Sequence, residues 1–489
     1  MADYSANTEG LAGLIERRAI ENGDAVYLED ARSDSTLSYG ELAEAADRWR
    51  RILLSESIPA GGSVIVDVAD PLAFAVVHLS VIAAGRRSVP TNTDLATADL
   101  QRIAGLLDGP VIVVSDQHDR RIAGARVVPP DAAAIGEPSP IGPKASGAAL
   151  LFTSGSTGEP KGVELGERQL LFVARGIARH NGLTEFDRGY NPLPLFHVNA
   201  QVVGLLATLV ANGTLVVDRS FHRTGFWELL EHRRITWLNA VPAILAVLAR
   251  GGELTIPRSV RFVRSASAPL PEAVRRALGS VPVVVSWGMT EGASQITATP
   301  LGIEHRAGSV GLPIGSEVQV RAESGEVLGV DRVGVLWVRG EGVVRGYHHG
   351  RAAERFDADG WLSSGDLGRI DADGWVYLVG RSDDVINRGG EKVYPAEVEE
   401  VLLGDARVRE AVVVGRSDPI LHQLVVAYVI PVEPDAYGGE ELVAELLERC
   451  ERELPRFKRP VEISVVADVP RAPTGKVQRN RVRALAENE

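Results

Sequence analysis

Residues 150–162 read LLFTSGSTGEPKG, an apolar run of strand character that passes into glycines and hydroxyls and closes on Pro160 and Lys161. Glycines let backbone N–H groups turn toward an anion, hydroxyls add donors, and an ammonium adds a mobile charge. The segment therefore predicts a phosphate-holding loop at the end of a strand. Neither G-x-x-x-x-G-K-[ST] nor G-x-G-x-x-G occurs in the chain, which argues against a P-loop NTPase and a dinucleotide dehydrogenase.

Outward from this segment, strand-length and helix-like stretches alternate. Ser63 to Val68, Val111 to Ser115 and Ala148 to Thr153 read as strands and Pro71 to Ala84 as a helix, the rhythm of an α/β fold with largely parallel sheets. Ile122 to Gly147, rich in Ala, Pro and Gly, reads as irregular connection. Past Gly374 the texture changes. A strand (Trp375 to Val379), a charged turn (Arg381 to Asp384) and a helix opened by Pro395 and running through Leu403 come first. Strands at Glu410 to Val414 and Leu424 to Val432 and an amphipathic helix at Glu440 to Arg452 follow. Together they predict a compact α+β module of roughly 110 residues after Arg381.

The 489 residues are 45% hydrophobic and 24% charged, with a net charge of −13, which excludes a coiled coil, a collagen-like chain and a disordered tail protein. That acidic balance offers no concentrated basic surface for nucleic acid. The single cysteine, Cys450, permits no internal disulfide and no thiolate metal site, so a reducing, cytoplasmic setting is expected. MADYSANTEG at the start carries neither a basic nor an apolar leader segment. The most apolar stretches, Phe74 to Ala84 and Val202 to Ala211, are too short or interrupted to span a bilayer and read as buried helices, so no membrane partner is expected. Only five lysines occur, Lys144, Lys161, Lys392, Lys458 and Lys476, and three of them fall in the motifs below.

T-S-G-S-T-G-x-P-K-G resembles the phosphate loop of the adenylate-forming superfamily of acyl- and aryl-CoA synthetases, peptide-synthetase adenylation domains and luciferases. The likeness continues in order through PLFH (Pro194 to His197), SAPL (Ser267 to Leu270), GMTE (Gly288 to Glu291) and SGD (Ser364 to Asp366). It ends with GR (Gly380, Arg381), GGEKVYPAEVE (Gly389 to Glu399) and PTGK (Pro473 to Lys476). The resemblance implies an α/β fold class: a large N-terminal domain, residues 1–382, of stacked α/β sheets plus a β-barrel-like subdomain, and a small mobile α+β C-terminal domain, residues 383–489. Three departures from the family pattern stand out: Trp287 where tyrosine is usual, Val335 in GVLWVRG where GEL is common, and Ser364 where threonine precedes Gly-Asp.

The reaction so implied starts with a carboxylate attacking the α-phosphate of MgATP, releasing pyrophosphate and leaving an acyl adenylate. Two anions must meet, so charge compensation and positioning dominate the catalysis. By resemblance, Lys476 bridges carboxylate and α-phosphate, Thr290 reaches the α-phosphate, Glu291 holds Mg²⁺ and His197 gates the carboxylate. Thr153, Ser154, Gly155, Ser156, Thr157, Gly158 and Lys161 would cradle ATP. Ala268, Trp287, Gly288 and Met289 would surround the nucleotide, with Asp366 and Arg381 at the ribose. The hinge matches Asp383, and Gly389 and Gly390 would face the pantetheine tunnel.

GGEKVYPAEVE looks more like free-standing CoA ligases than modular synthetases, which favours CoA as acceptor. Relatives that pass the activated group to an amine or a carrier protein, or that activate an oxyacid such as nitrite, mark the alternative. Val198, Asn199, Gln201, Ala266, Ser267 and Ser286 are the expected acyl-pocket residues. PLFH lacks the aspartate that amino-acid-activating domains use, and the lining is polar. A small polar or aromatic carboxylic acid bearing a matching hydroxyl, amine or second carboxylate is therefore expected rather than a long plain fatty acid.

Overall fold

A computed structural model of the chain describes residues 9–117, 119–133, 146–154, 160–249, 254–433, 439–471 and 477–487. The chain divides into two compact units. One comprises Met1–Val318, Val338–Leu362 and Gly374–Val376, and the other Gln319–Trp337, Ser363–Asp373 and Tyr377–Glu489.

In the first unit the valine-rich strands Ser63–Asp67 and Val111–Ser115 are buried along their whole length. They sit inside a six-stranded sheet ordered Arg126–Val128, Val111–Ser115, Ser63–Asp67, Arg87–Pro90, Ala148–Ser154, Pro160–Gly166. All its pairings are parallel except the last, where Ala148–Ser154 meets Pro160–Gly166 antiparallel with Thr153 opposite Lys161. Arg126–Val128 lies in the stretch expected to be irregular. It is an edge strand of three residues, too short to carry an alternation signal in sequence, and it gains its ladder from Ile112–Val114.

The helix Pro71–Ala83 begins where Pro71 presets φ at the first helical position and the Asp70 carboxylate accepts from the Ala73 N–H at 2.9 Å. Ten of its thirteen residues are buried, because it packs on strands of both sheets of this unit. The second sheet has nine strands, ordered Leu312–Pro313, Thr297–Ala298, Val283–Trp287, Phe262–Ser265, Trp237–Ala240, Arg188–Asn191, Thr214–Val217, Val26–Asp30, Thr36–Ser38. From Val283–Trp287 through to Val26–Asp30 the pairings are parallel, and the edges are antiparallel. The apolar run expected as one buried helix at Val202 to Ala211 is a π-helix, Ala200–Leu206, continued by the α-helix Ala207–Ala211, and every residue of the π segment is buried.

In the second unit a five-stranded sheet joins Glu391–Val393, Ile386–Arg388, His422–Pro431, Val408–Asp418 and Glu462–Val465. The long strand pair buries both faces by simple alternation. Val413, Val425, Ala427 and Val429 pack with Val398, Leu402, Leu446 and Cys450. Val412, Val414, Val426, Tyr428 and Ile430 pack with Val482 and Ala486. The helix Pro395–Leu403 spans the residues expected, and burial pushes the Cys450 thiol up to about 11, so it is an inert core group. Residues 319–321, 334–337, 363–370 and 377–381 of this unit also lie in that order in neighbouring strands of a sheet. Among the described residues no helix is long and apolar enough to cross a membrane.

Candidate active site

Parallel α/β sheets offer their binding ground beyond the carboxyl ends of the strands, where loops diverge. Four neighbouring strands of the nine-stranded sheet, Arg188–Asn191, Trp237–Ala240, Phe262–Ser265 and Val283–Trp287, deliver most of the expected residues of the first unit there. Ala266 and Ser267 follow the third strand, and Ser286 and Trp287 end the fourth. Ala266, Ser286 and Trp287 are buried, whereas Ser267 and Ala268 are exposed. Ser267 holds φ at +77°, a left-handed conformation that costs a non-glycine residue about 1–2 kcal/mol and that marks functional turns. The Ser286 hydroxyl is buried with no hydrogen-bond partner among the described residues.

After Trp287 the chain turns sharply through Gly288 and Met289 into a single 3-10 turn, Thr290–Gly292, so Thr290 is the first residue of that turn. Gly288 is imposed by close approach, since a Cβ there would lie 1.7 Å from the carbonyl oxygen of Ser294. The turn buries Glu291, whose Oε1 accepts from Tyr347 OH and from Arg355 Nη1 at 2.9 Å. Arg355 also donates to the Tyr347 hydroxyl. Burial and the Glu291 carboxylate push the Tyr347 phenol above its ordinary pKa, so it stays a donor. Lys161 lies 6.0 Å from the Tyr347 ring centroid and thus near the same cluster. Tyr347 and Arg355 were not singled out in sequence.

PLFH enters the π-helix. His197 is half-buried with its ring against Phe196, centroids 4.3 Å apart, and Val198 is buried. Gln201 is fully buried and donates from Nε2 to the Leu195 carbonyl at 2.9 Å. Asn199 accepts from Asn239 Nδ2 at 2.9 Å and from Arg264 Nη1 at 3.4 Å. Arg264 is wholly buried. Its other partners are Asn239 Oδ1 at 3.2 Å and Gln295 Oε1, which takes Nη2 at 3.2 Å and Nε at 3.4 Å. Burial pulls its guanidinium down to about 9.

In the second unit Asp366 and Arg381 meet as expected, with Nη1 donating to Oδ1 at 2.7 Å. Burial alone would lower the Arg381 pKa; the charges of Asp366, Asp383 and Asp384 more than offset it and leave the guanidinium raised. Ser364 explains the hydroxyl residue before Gly-Asp. Its Oγ accepts from the Asp366 N–H at 3.0 Å and donates to the Leu336 carbonyl at 2.7 Å, holding the aspartate in place. Asp383 lies in the 3-10 turn Ser382–Asp384, and Gly389 and Gly390, at φ +61° and +91°, turn the hairpin between Ile386–Arg388 and Glu391–Val393. Gly155, Ser156, Thr157, Gly158 and Lys476 lie outside the described residues, as do the side chains of Thr153 and Ser154.

Among the described residues two places offer metal-binding donors. The buried Glu291 carboxylate commits Oε1 to Tyr347 and Arg355 and keeps Oε2 as a hard oxygen of the kind Mg²⁺ takes alongside phosphate oxygens. Asp108, His348 and His349 also bring one ligand atom each within 4.8 Å of one another.

The AMP-binding enzyme family matches residues 15–348, and its C-terminal domain matches residues 397–476. The sulfoacetate–CoA ligase of Cupriavidus necator is 35% identical over 494 aligned positions, covering 96% of both chains. The oxalate–CoA ligase of Arabidopsis thaliana is 30% identical, covering 97% of this chain and 98% of that one. The structure of o-succinylbenzoate coenzyme A synthetase from Bacillus subtilis, in complex with ATP and magnesium ion, superimposes with a TM-score of 0.84 at 27% identity, covering 96% and 98% of the two chains. With matches of this extent, the chain belongs to the AMP-binding enzyme family.

Proposed function

We propose that the chain is a cytoplasmic, Mg²⁺-dependent ligase that converts a small polar or aromatic carboxylic acid and ATP to an acyl adenylate and pyrophosphate, then transfers the acyl group to CoA. The observation that carries the reading is the convergence, at the ends of adjacent parallel strands, of Ala266, Ser286 and the Trp287–Glu291 segment with its Tyr347–Glu291–Arg355 cluster. Likeness to CoA ligases along almost the whole chain supports it.

In the first half-reaction a carboxylate oxygen bonds to the α-phosphorus as the bond to pyrophosphate breaks. In the second, the CoA sulfur bonds to the acyl carbon, AMP leaves and the thiol proton passes to solvent. Mg²⁺, held through Glu291, would offset phosphate charge. Arg355 and Tyr347 fix that carboxylate in one orientation, and Lys161 adds positive charge on the phosphate side. Thr290 is assigned to the α-phosphate, Trp287 to the adenine and His197 to the carboxylate entrance. Within the second unit Asp366 is assigned to the ribose hydroxyls, oriented by Arg381 and Ser364. Residues 383–489 are assigned as the mobile domain, hinged at Asp383.

Acid-dependent ATP–pyrophosphate exchange across aliphatic, aromatic and amino-substituted acids, followed by AMP release with and without CoA, tests the reading. Exchange with none of them would end it. Asp366→Ala is expected to raise the KM for ATP about 10- to 100-fold, the loss of charge-assisted hydrogen bonds, with the KM for the acid little changed. Gly390→Leu is expected to lower CoA-dependent AMP release about tenfold or more while exchange persists. Equal loss in both half-reactions would leave the glycine pair only its turn role.

A further inference from the structure

Arg264 stands out among the buried charges of the first unit. A guanidinium taken fully out of water ordinarily demands a carboxylate, because an uncompensated buried charge costs several kcal/mol. Arg120, 8% exposed at its side chain, has Asp67 at 2.9 Å. Arg264, at 0% exposure, has no acidic partner among the described residues, and its hydrogen bonds there go to three amide oxygens at 3.2–3.4 Å. Four contacts on a group with five N–H donors leave a donor over.

Other unmatched donors gather at the same strand ends. The Gln295 Nε2 and the Ser286 hydroxyl are buried without partners among the described residues. Arg264 pairs in register with Asn239 on one side and Val284 on the other, so Ser286, two residues past Val284, shares its face of the sheet. Asn239 in turn donates to Asn191 at 2.8 Å, completing a polar row across three adjacent strands just below the loops that carry Asn199 and Ala266. Left-handed backbone at Ser267, Ala293 and Ser294 flanks the row, strain that a purely structural layer has no need to hold. A cation with one N–H left over, beside two donors that have no acceptor among the described residues, forms a receptor for anionic oxygens.

We infer that Arg264, with Gln295 and Ser286, binds a second anionic group on the acid substrate, so that the preferred substrates are short acids carrying a carboxylate to be activated and a distal carboxylate or sulfonate. The inference rests on the ligase reading above and narrows its substrate class. Arg264 is a specificity-determining binding residue, and Asn239 and Asn199 are positioning residues that hold its fork. A mono-anionic acid leaves the buried charge unanswered and is rejected for that reason.

The test is ATP–pyrophosphate exchange by the intact chain with sulfoacetate, malonate and succinate against acetate, propionate and butyrate, repeated for Arg264→Gln and Arg264→Lys. The wild type is expected to favour at least one bis-anionic acid by about 100-fold or more in kcat/KM over the mono-anionic acid of similar length. Arg264→Gln collapses that ratio through the KM for the acid, with the KM for ATP unchanged. Arg264→Lys, which keeps the charge but loses the planar fork, gives an intermediate ratio. A merely structural arginine would depress all acids alike, and that result overturns the inference, as does equal use of propionate and malonate by the wild type. If Arg264→Gln fails to fold, the Arg264→Lys ratio decides, an undiminished preference counting against. The sulfonate and carboxylate arms separate the two sources of the distal charge. Exchange with mono-anionic acids alone sinks this inference and spares the ligase reading; exchange with no acid sinks both.

Discussion

Replacing Lys476 with alanine is expected to cut acid-dependent ATP–pyrophosphate exchange by about 100- to 1,000-fold while the fold persists, the scale seen when one preorganised charge-stabilising group is removed. The reaction brings a carboxylate onto a triphosphate, and a compact ammonium reaching both oxygens answers that repulsion where a spread guanidinium fits less well. The described residues that flank 472–476 are held by their own contacts. Arg471 and Val477 pair antiparallel, the Gln478 N–H donates to the Pro470 carbonyl at 2.8 Å, and Arg471 is anchored to Glu410 and Asp468. None of these contacts uses the Lys476 side chain, so its removal should leave them intact. Circular dichroism matching the wild type, alongside lost exchange, is the expected pair of results. Exchange that survives the substitution removes Lys476 from the chemistry.

A methyl group at Gly288 is expected to be as damaging by a steric route. The added Cβ would stand 1.7 Å from Ser294 O, 2.6 Å from Ser294 C and 2.9 Å from Gln295 Cα, all backbone atoms. Ala293 and Ser294 already sit at φ +49° and +87°, so the opposing strand of chain has little room to yield. Overpacking of this kind costs about 3 kcal/mol or more. Relief can come only by moving Thr290 and Glu291 on one side or Gln295 on the other. Gly288→Ala should therefore lower the melting temperature and abolish exchange together, measured by thermal unfolding and the exchange assay. A variant with wild-type melting and activity would show that the Trp287–Gln295 turn is pliable.

Much of the architecture could be read from local pattern, and the reason is that local chemistry fixes it. Val111–Ser115 is a short β-branched run, and Pro395 opens a helix because its ring presets the first turn. The residues around Asn199, Ala266, Ser286 and Glu291 were reachable through ordered motifs. Their partners were not. Tyr347 and Arg355 reach Glu291 from 56 and 64 positions away. The row of Asn191, Asn239 and Arg264 exists only because the strand order sets three distant segments side by side. In sequence Asn239 and Arg264 are polar residues near the ends of the mostly apolar runs WLNA and FVRS, and Asn191 ends RGYN, with nothing to say that the polar atoms face one another. The run AQVVGLL is apolar throughout, so no periodicity separates a π-helix from an α-helix there.

The wider coil at Ala200–Leu206 gives the region proposed to take the acyl group a second route to change. Each π turn closes with one residue more than an α turn, so deleting a single residue would restore ordinary winding and rotate the preceding side chains by about 100° around the axis. Asn199 and Gln201 would then be presented differently to the acid proposed to bind there. Selectivity can drift in this scaffold by insertion and deletion as readily as by substitution.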